Sequence, residues 1–152
     1  MMQQTFDITS KSREILSDFL NKYTLKQLNT IPPGFNNNLI WNIAHIVVVQ
    51  QMLVYNLSGL PMMVSPGMVD KYKRGTKPEA DITQAEVDEI RTLLFDCIRQ
   101  TATDHAAGIF KEYRPFTTMT GFQINSAEEA MNFNNYHEGV HTGVMMSIRK
   151  FI

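Results

Sequence analysis

The feature that most constrains this chain is the stretch Leu39-Ile40-Trp41-Asn42-Ile43-Ala44-His45-Ile46-Val47-Val48-Val49, which is apolar on nearly every face of a helix. Such a helix has no face to give to water, so it must lie inside other elements. Its polar residues share one stripe: Asn38, Asn42 and His45 recur at i, i+4 and i+7. A polar stripe on a buried helix has to be satisfied. A metal or a water-filled cavity does this; so does a hydrogen-bonded core histidine flanked by two structural asparagines.

The segments around this helix are also helical. Ile8 to Leu28 predicts a first helix, capped by Thr9 or Ser10, with Ile15, Leu16, Phe19, Leu20, Tyr23 and Leu28 on its apolar side. Lys11, Arg13, Glu14, Asp18 and Lys22 read as its solvated face. Pro32-Pro33-Gly34 breaks the chain, and Asn36-Asn37-Asn38 then caps the second helix, about Asn37 to Ser58. Thr83 and Glu86 form a capping box for a third helix running to about Ala106, with Val87, Ile90, Leu94, Cys97, Ile98 and Thr101 on one face. Ser126 and Glu129 predict the same device for a last helix, about Ala127 to Arg149. Two long connections remain. Gly59 to Asp81 carries Lys71, Lys73, Arg74 and Lys77, read as a solvated loop or as a face for an anionic substrate. Gly108 to Asn125 shows slight β character around Phe116 to Met119. The expectation is a single all-α domain over residues 1–152, a four-helix bundle with long inter-helix connections.

Composition removes several function classes. With 14 basic and 15 acidic side chains the formal net charge is -1, and no basic stripe suggests nucleic acid or an anionic membrane. Nothing near Met1 resembles a signal peptide, and the apolar run Ile43 to Tyr55 reads as too short and too polar to span a bilayer. The single cysteine, Cys97, excludes an internal disulfide framework and fits a reducing cytoplasmic setting. Mid-helix on an apolar face, it reads as an inert buried thiol. The 10 methionines read as gap-fillers of a helical core rather than metal ligands.

The chemistry concentrates near the end of the chain. His137 and His141 lie four apart, so they rise on the same face of the last helix, at a spacing that lets two imidazoles reach one metal ion. Asn134 precedes them on the same stripe, as Asn42 precedes His45. Facing helices of a bundle are the usual place to build a metal site, so His45, His137 and His141 are the candidate ligands. Asn42 and Asn134 are candidates to orient the ligands or bind a cofactor or substrate. His105, near the end of the third helix, suits the helix dipole and reads as structural or surface. His137-Glu138-Gly139-Val140-His141 also matches the H-E-x-x-H pattern of zinc proteases, where the glutamate acts as general base.

Two motifs carry a resemblance. Asn38-Leu39-Ile40-Trp41-Asn42-Ile43-Ala44-His45-Ile46 resembles the second-helix motif of the DinB-like superfamily, which includes YfiT-type metal-dependent hydrolase-like proteins. Asn135-Tyr136-His137-Glu138-Gly139-Val140-His141-Thr142-Gly143 resembles its last-helix motif, H-x-x-x-H-x-G. The resemblance implies a four-helix bundle of up-down-down-up arrangement, commonly a homodimer. It also implies a divalent metal, typically nickel or zinc, held by three histidines at the positions of His45, His137 and His141. Characterised members of that family include thiol S-transferases that use bacillithiol, mycothiol or glutathione, and a thiol-dependent maleylpyruvate isomerase. On that resemblance the H-E-x-x-H match is incidental, and Glu138 need not face the metal.

Three neutral imidazoles leave an open position for water or substrate, the arrangement of a catalytic site. The expected function is thiol S-transfer from a low-molecular-weight thiol to a small electrophile, with the loop Met68 to Lys77 holding an anionic part of the thiol. Three alternatives stand beside it: a metal-dependent hydrolase using Glu138, a non-catalytic metal-binding stress-response protein, and a purely structural helical dimer.

Overall fold

A computed structural model describes residues 2–152. Four long helices dominate: α1 Met2–Lys22, α3 Leu39–Val54, α5 Gln84–Ala106 and α6 Ala127–Ile148. Two short ones, α2 Leu25–Asn29 and α4 Pro66–Tyr72, fill connections. The fold is all-α, with one two-residue hairpin, β1 Phe116–Thr117 against β2 Gln123–Ile124, antiparallel with Phe116 opposite Ile124. The β character near Phe116 is this hairpin, and Gly121 makes its turn at φ +90°, a conformation that only glycine adopts readily.

The apolar helix lies at the centre, as its pattern requires. α3 packs against α6, α5, α2 and α4. Leu39, Ile43, Ala44, Ile46, Val47 and Val48 are fully buried, and each of the larger ones contributes about 1.5–3 kcal/mol by leaving water. The longer stretch Leu39–Ser58 is long and apolar enough to cross a membrane by length and composition alone, but 83% of its 18-residue apolar window is buried inside the molecule. Asn38 caps α3 by accepting from the Trp41 amide (2.9 Å), and its own amide donates to the Asn29 carbonyl, so it also ties the Pro32-Pro33 turn to the helix.

Several boundaries differ from expectation. α1 begins at Met2, not at Ile8, and stops at Lys22. Thr24 then starts α2 with its own capping box to Gln27, so Leu28 belongs to a separate element. Thr9 is no cap: it lies mid-helix, buried, with its hydroxyl 2.6 Å from the Asn135 side chain of α6. Thr5 meets Asn132 in the same way, so the α1–α6 contact is a polar seam. The basic connection contains α4, capped by Ser65 with Pro66 at its first turn, an arrangement in which the missing proline N–H costs nothing. The capping box of α5 forms as expected. At α6 only half of it does: Ser126 accepts from the Glu129 amide, while the Glu129 carboxylate accepts from the Asn125 amide one residue further back.

Candidate metal centre

α3 and α6 lie side by side, and this brings His45, His137 and His141 together. One ligand-capable nitrogen from each lies within 4.8 Å of the others. Two nitrogens on one ion at about 2.1 Å each span at most about 4.2 Å, so small side-chain rotations close the set. The ring centroids stand 4.6 Å apart for His45–His141 and His137–His141, and 5.2 Å for His45–His137.

Neighbouring groups fix two of the tautomers. His45 Nδ1 lies 2.6 Å from the Tyr72 carbonyl. A carbonyl only accepts, so Nδ1 carries the proton and Nε2 keeps its lone pair. Tyr72 is the last residue of α4, which gives that short helix a role: it presents the anchoring oxygen. The Trp41 indole lies flat over the His45 ring, 4.6 Å away and inclined by 14°. His141 Nδ1 lies 2.8 Å from Asn42 Oδ1. Both hydrogens of the Asn42 amide are in use, to Asn37 Oδ1 at 2.9 Å and the Asn38 carbonyl at 2.8 Å, so Oδ1 is left to accept. His141 Nδ1 therefore donates, and its Nε2 is free as well. His137 differs: its buried Nδ1 has no hydrogen-bond partner among the described residues.

Burial keeps all three rings neutral. His137 is pushed down to about 3, first by desolvation and then by His141, His45 and Arg13. His141 falls to about 4, by desolvation and by His45. His45 is lowered by desolvation, against an opposing hydrogen bond to Tyr72. Neutral imidazoles crowded in this way present lone pairs and resist protonation, which is what a metal-binding donor set requires. The residues fit a divalent metal ion.

Glu138 faces the other way. Its side chain is fully buried against Arg13 of α1, itself fully buried, in an ion pair of 2.7 Å. Oε1 accepts from Arg13 Nη2, from Arg13 Nε at 3.0 Å and from Asn134 Nδ2 at 2.7 Å, while Oε2 accepts from Ser12 Oγ at 2.7 Å. Arg13 Nη1 completes the network on the Leu94 carbonyl at 3.2 Å. Arg13 therefore does not belong to a solvated face. Its periodicity carried the signal: Thr5, Thr9, Arg13, Leu16 and Leu20 recur at helical spacing and are all buried. Asn134 lies in this network and not among the histidines, with its Oδ1 buried and without a hydrogen-bond partner among the described residues.

The site opens onto a cleft of about 410 Å³ with His45 and His137 in its wall. Val49, Met52 and Leu53 of α3 and Phe133 of α6 line it, together with Arg74 and the hairpin residues Phe116, Thr118, Met119 and Thr120. A second cavity of about the same volume is lined by Trp41, Tyr72, Asn29 and Asn38 among others, and none of its lining residues is a histidine. His105 is far from the cluster in role: it pairs with Glu128 at 2.8 Å and meets Phe6 edge to face. Cys97 is fully buried, with its thiol pushed up to about 11 by desolvation, and takes no part. Sequence reasoning missed Trp41, the Tyr72 carbonyl and Arg13 as members of the site's surroundings, and the lining of the cleft.

The family model of the DinB superfamily matches residues 8–145, a span that holds all three histidines together with Arg13 and Glu138. No curated protein matches the chain.

Proposed function

The chain belongs to the DinB superfamily, and from that premise we propose that it is a divalent-metal-dependent thiol S-transferase, joining a low-molecular-weight thiol to a small electrophile. The observation that carries the reading is the convergence of three neutral imidazoles within 4.8 Å beside an apolar cleft. His45, His137 and His141 would hold the ion. Bound there, a divalent ion lowers the pKa of a coordinated thiol or water, so that a thiolate is present at neutral pH. Tyr72 and Asn42 hold His45 and His141 in the tautomers that leave Nε2 free. The apolar walls exclude water and favour a small organic substrate over a polar one. The thiol gives up its proton to solvent and its sulfur forms the new carbon–sulfur bond, while the electrophile either expels a leaving group with the electron pair of the broken bond or, if unsaturated, gives up its π bond and takes a proton from solvent. The reading includes the reducing cytoplasm as the setting, because a thiol pool is needed, and a homodimer, for which exposed Tyr136, Val140 and Met146 on α6 offer apolar surface.

The peptidase alternative requires Glu138 as a general base beside the metal. Both Glu138 oxygens are engaged by Arg13, Asn134 and Ser12 in a fully buried site, which disfavours that role.

Elemental analysis of protein purified without a metal-affinity tag, beside His137→Ala, tests the centre. Near-stoichiometric nickel or zinc in the parent and none in the variant is the expected result. Thiol consumption with a panel of electrophiles then tests the reaction. Metal without turnover would favour a non-catalytic binding protein. Absence of metal after nickel and zinc are supplied would leave a structural bundle.

A further inference from the structure

The cleft beside His45 and His137 has a charge pattern of its own. Its walls are apolar, and among its lining residues Arg74 alone carries a charge. Two neighbouring cations are occupied elsewhere, and Lys77 lines the second cavity instead. Lys71 pairs with Glu86 at 2.5 Å and Lys73 with Asp70 at 2.8 Å. Arg74 has no acidic partner among the described residues, and its guanidinium touches the Met119 thioether across the mouth of the cleft. The loop that carries Arg74 is tied down. The Thr76 hydroxyl bonds the Lys71 and Lys73 carbonyls at 2.9 and 2.8 Å and accepts from the Trp41 indole at 3.3 Å. The residue that stacks on His45 thus also steadies the loop bearing the cation.

A lone guanidinium at the edge of an apolar cleft with no acidic residue in its lining attracts an anion. Its planar fork matches a carboxylate in particular. We propose that this cleft binds an apolar carboxylate. The carboxylate sits on Arg74, and the hydrocarbon or aromatic body lies along Val49, Met52, Leu53 and Phe133. The far end is then directed at His45 and His137. The apolar walls assign this molecule as the electrophile of the reaction, since small thiol cofactors are polar along most of their length. For its reactivity the inference rests on the thiol-transfer reading above; for binding it needs only the cleft.

Octanoate and its neutral counterpart octanamide are the probes, with methyl-labelled methionines as reporters, because Met52 and Met119 line the cleft. Chelator-treated protein is used, so that no ion contributes. Octanoate is expected to shift the Met52 and Met119 methyl resonances and to bind about tenfold more tightly than octanamide, the scale of one charge-assisted hydrogen-bonded contact. Arg74→Ala should abolish the preference, so that octanoate and octanamide bind alike. Arg74→Lys, which keeps the charge without the fork, should retain part of it. Circular dichroism confirms that both variants fold. Equal binding of the two probes to the parent, a preference that survives Arg74→Ala, or shifts confined to other methionines would each overturn the proposal. Uptake of added nickel or zinc is measured on separate aliquots of the same preparations after the chelator is removed. Metal uptake without carboxylate preference overturns this inference alone, whereas preference without metal uptake overturns the thiol-transfer reading and leaves the carboxylate site standing.

Discussion

Glu138→Gln offers the sharpest separation of roles around the metal centre. The substitution keeps the shape of the side chain and removes its charge. Arg13 then stays fully buried with no anion beside it, because its partner in the 2.7 Å pair has lost its charge and leaves only neutral acceptors, the new amide oxygen and the Leu94 carbonyl. Stranding a buried charge in this way costs about 3–5 kcal/mol. A domain of this size has about 5–15 kcal/mol in all, so the variant loses a large share of its stability, on the order of 10 °C in melting temperature. Urea unfolding followed by Trp41 fluorescence and by circular dichroism measures the loss. Arg13→Met combined with Glu138→Leu should recover most of it, since replacing both members of a buried pair with apolar side chains is often neutral. A loss below about 1 kcal/mol for Glu138→Gln would refute the buried-pair argument, because that is the range of exposed pairs. Retained stability with loss of peptidase activity would instead revive the general-base reading of H-E-x-x-H.

Other consequences follow from the same geometry. Alanine at His45, His137 or His141 should each lower bound metal, read by elemental analysis; full metal retention by all three variants would sink the site. A chelator should lower the melting temperature and added nickel or zinc restore it, by about 2.7 kcal/mol at a hundredfold excess over Kd; an unchanged melting temperature would mean that no ion binds the folded state. The metal-free protein should lose stability as pH falls. His137 and His141 have folded pKa values of about 3 and about 4, below the usual 6.5, so between those limits the unfolded chain binds more protons and stability rises with pH. Their contribution is complete above pH 6.5 and is lost as the pH drops through about 4 toward about 3; a urea midpoint that is constant from pH 7 to pH 5 would contradict the burial of these rings.

Much of this molecule could be read along one dimension. The apolar run from Leu39 to Val49 required a central helix, and α3 is that helix. The capping box at Thr83 and the cap at Ser126 marked the starts of α5 and α6. The stripe Asn38, Asn42, His45 and the pair His137, His141 picked out the residues that meet. These are local properties: periodicity states which side chains share a face, and caps state where a face begins.

What the sequence left open depends on which element stands opposite, and at what height. Arg13 has the periodicity of a buried position and the chemistry of an exposed one. Only the Glu138 carboxylate across the α1–α6 seam resolves that conflict. Asn42 and Asn134 look equivalent on their helices. Packing gives Asn42 to His141 and Asn134 to Glu138. Among the basic residues of the long connection, α4 and α5 provide carboxylates for Lys71 and Lys73 and leave Arg74 facing the cleft. The sequence determined the helices and the imidazoles, because those follow from contacts a few residues apart. The tertiary structure alone decided which charges are neutralised and which face open space, because a side chain's partner there lies many residues away and is fixed only by how the helices pack.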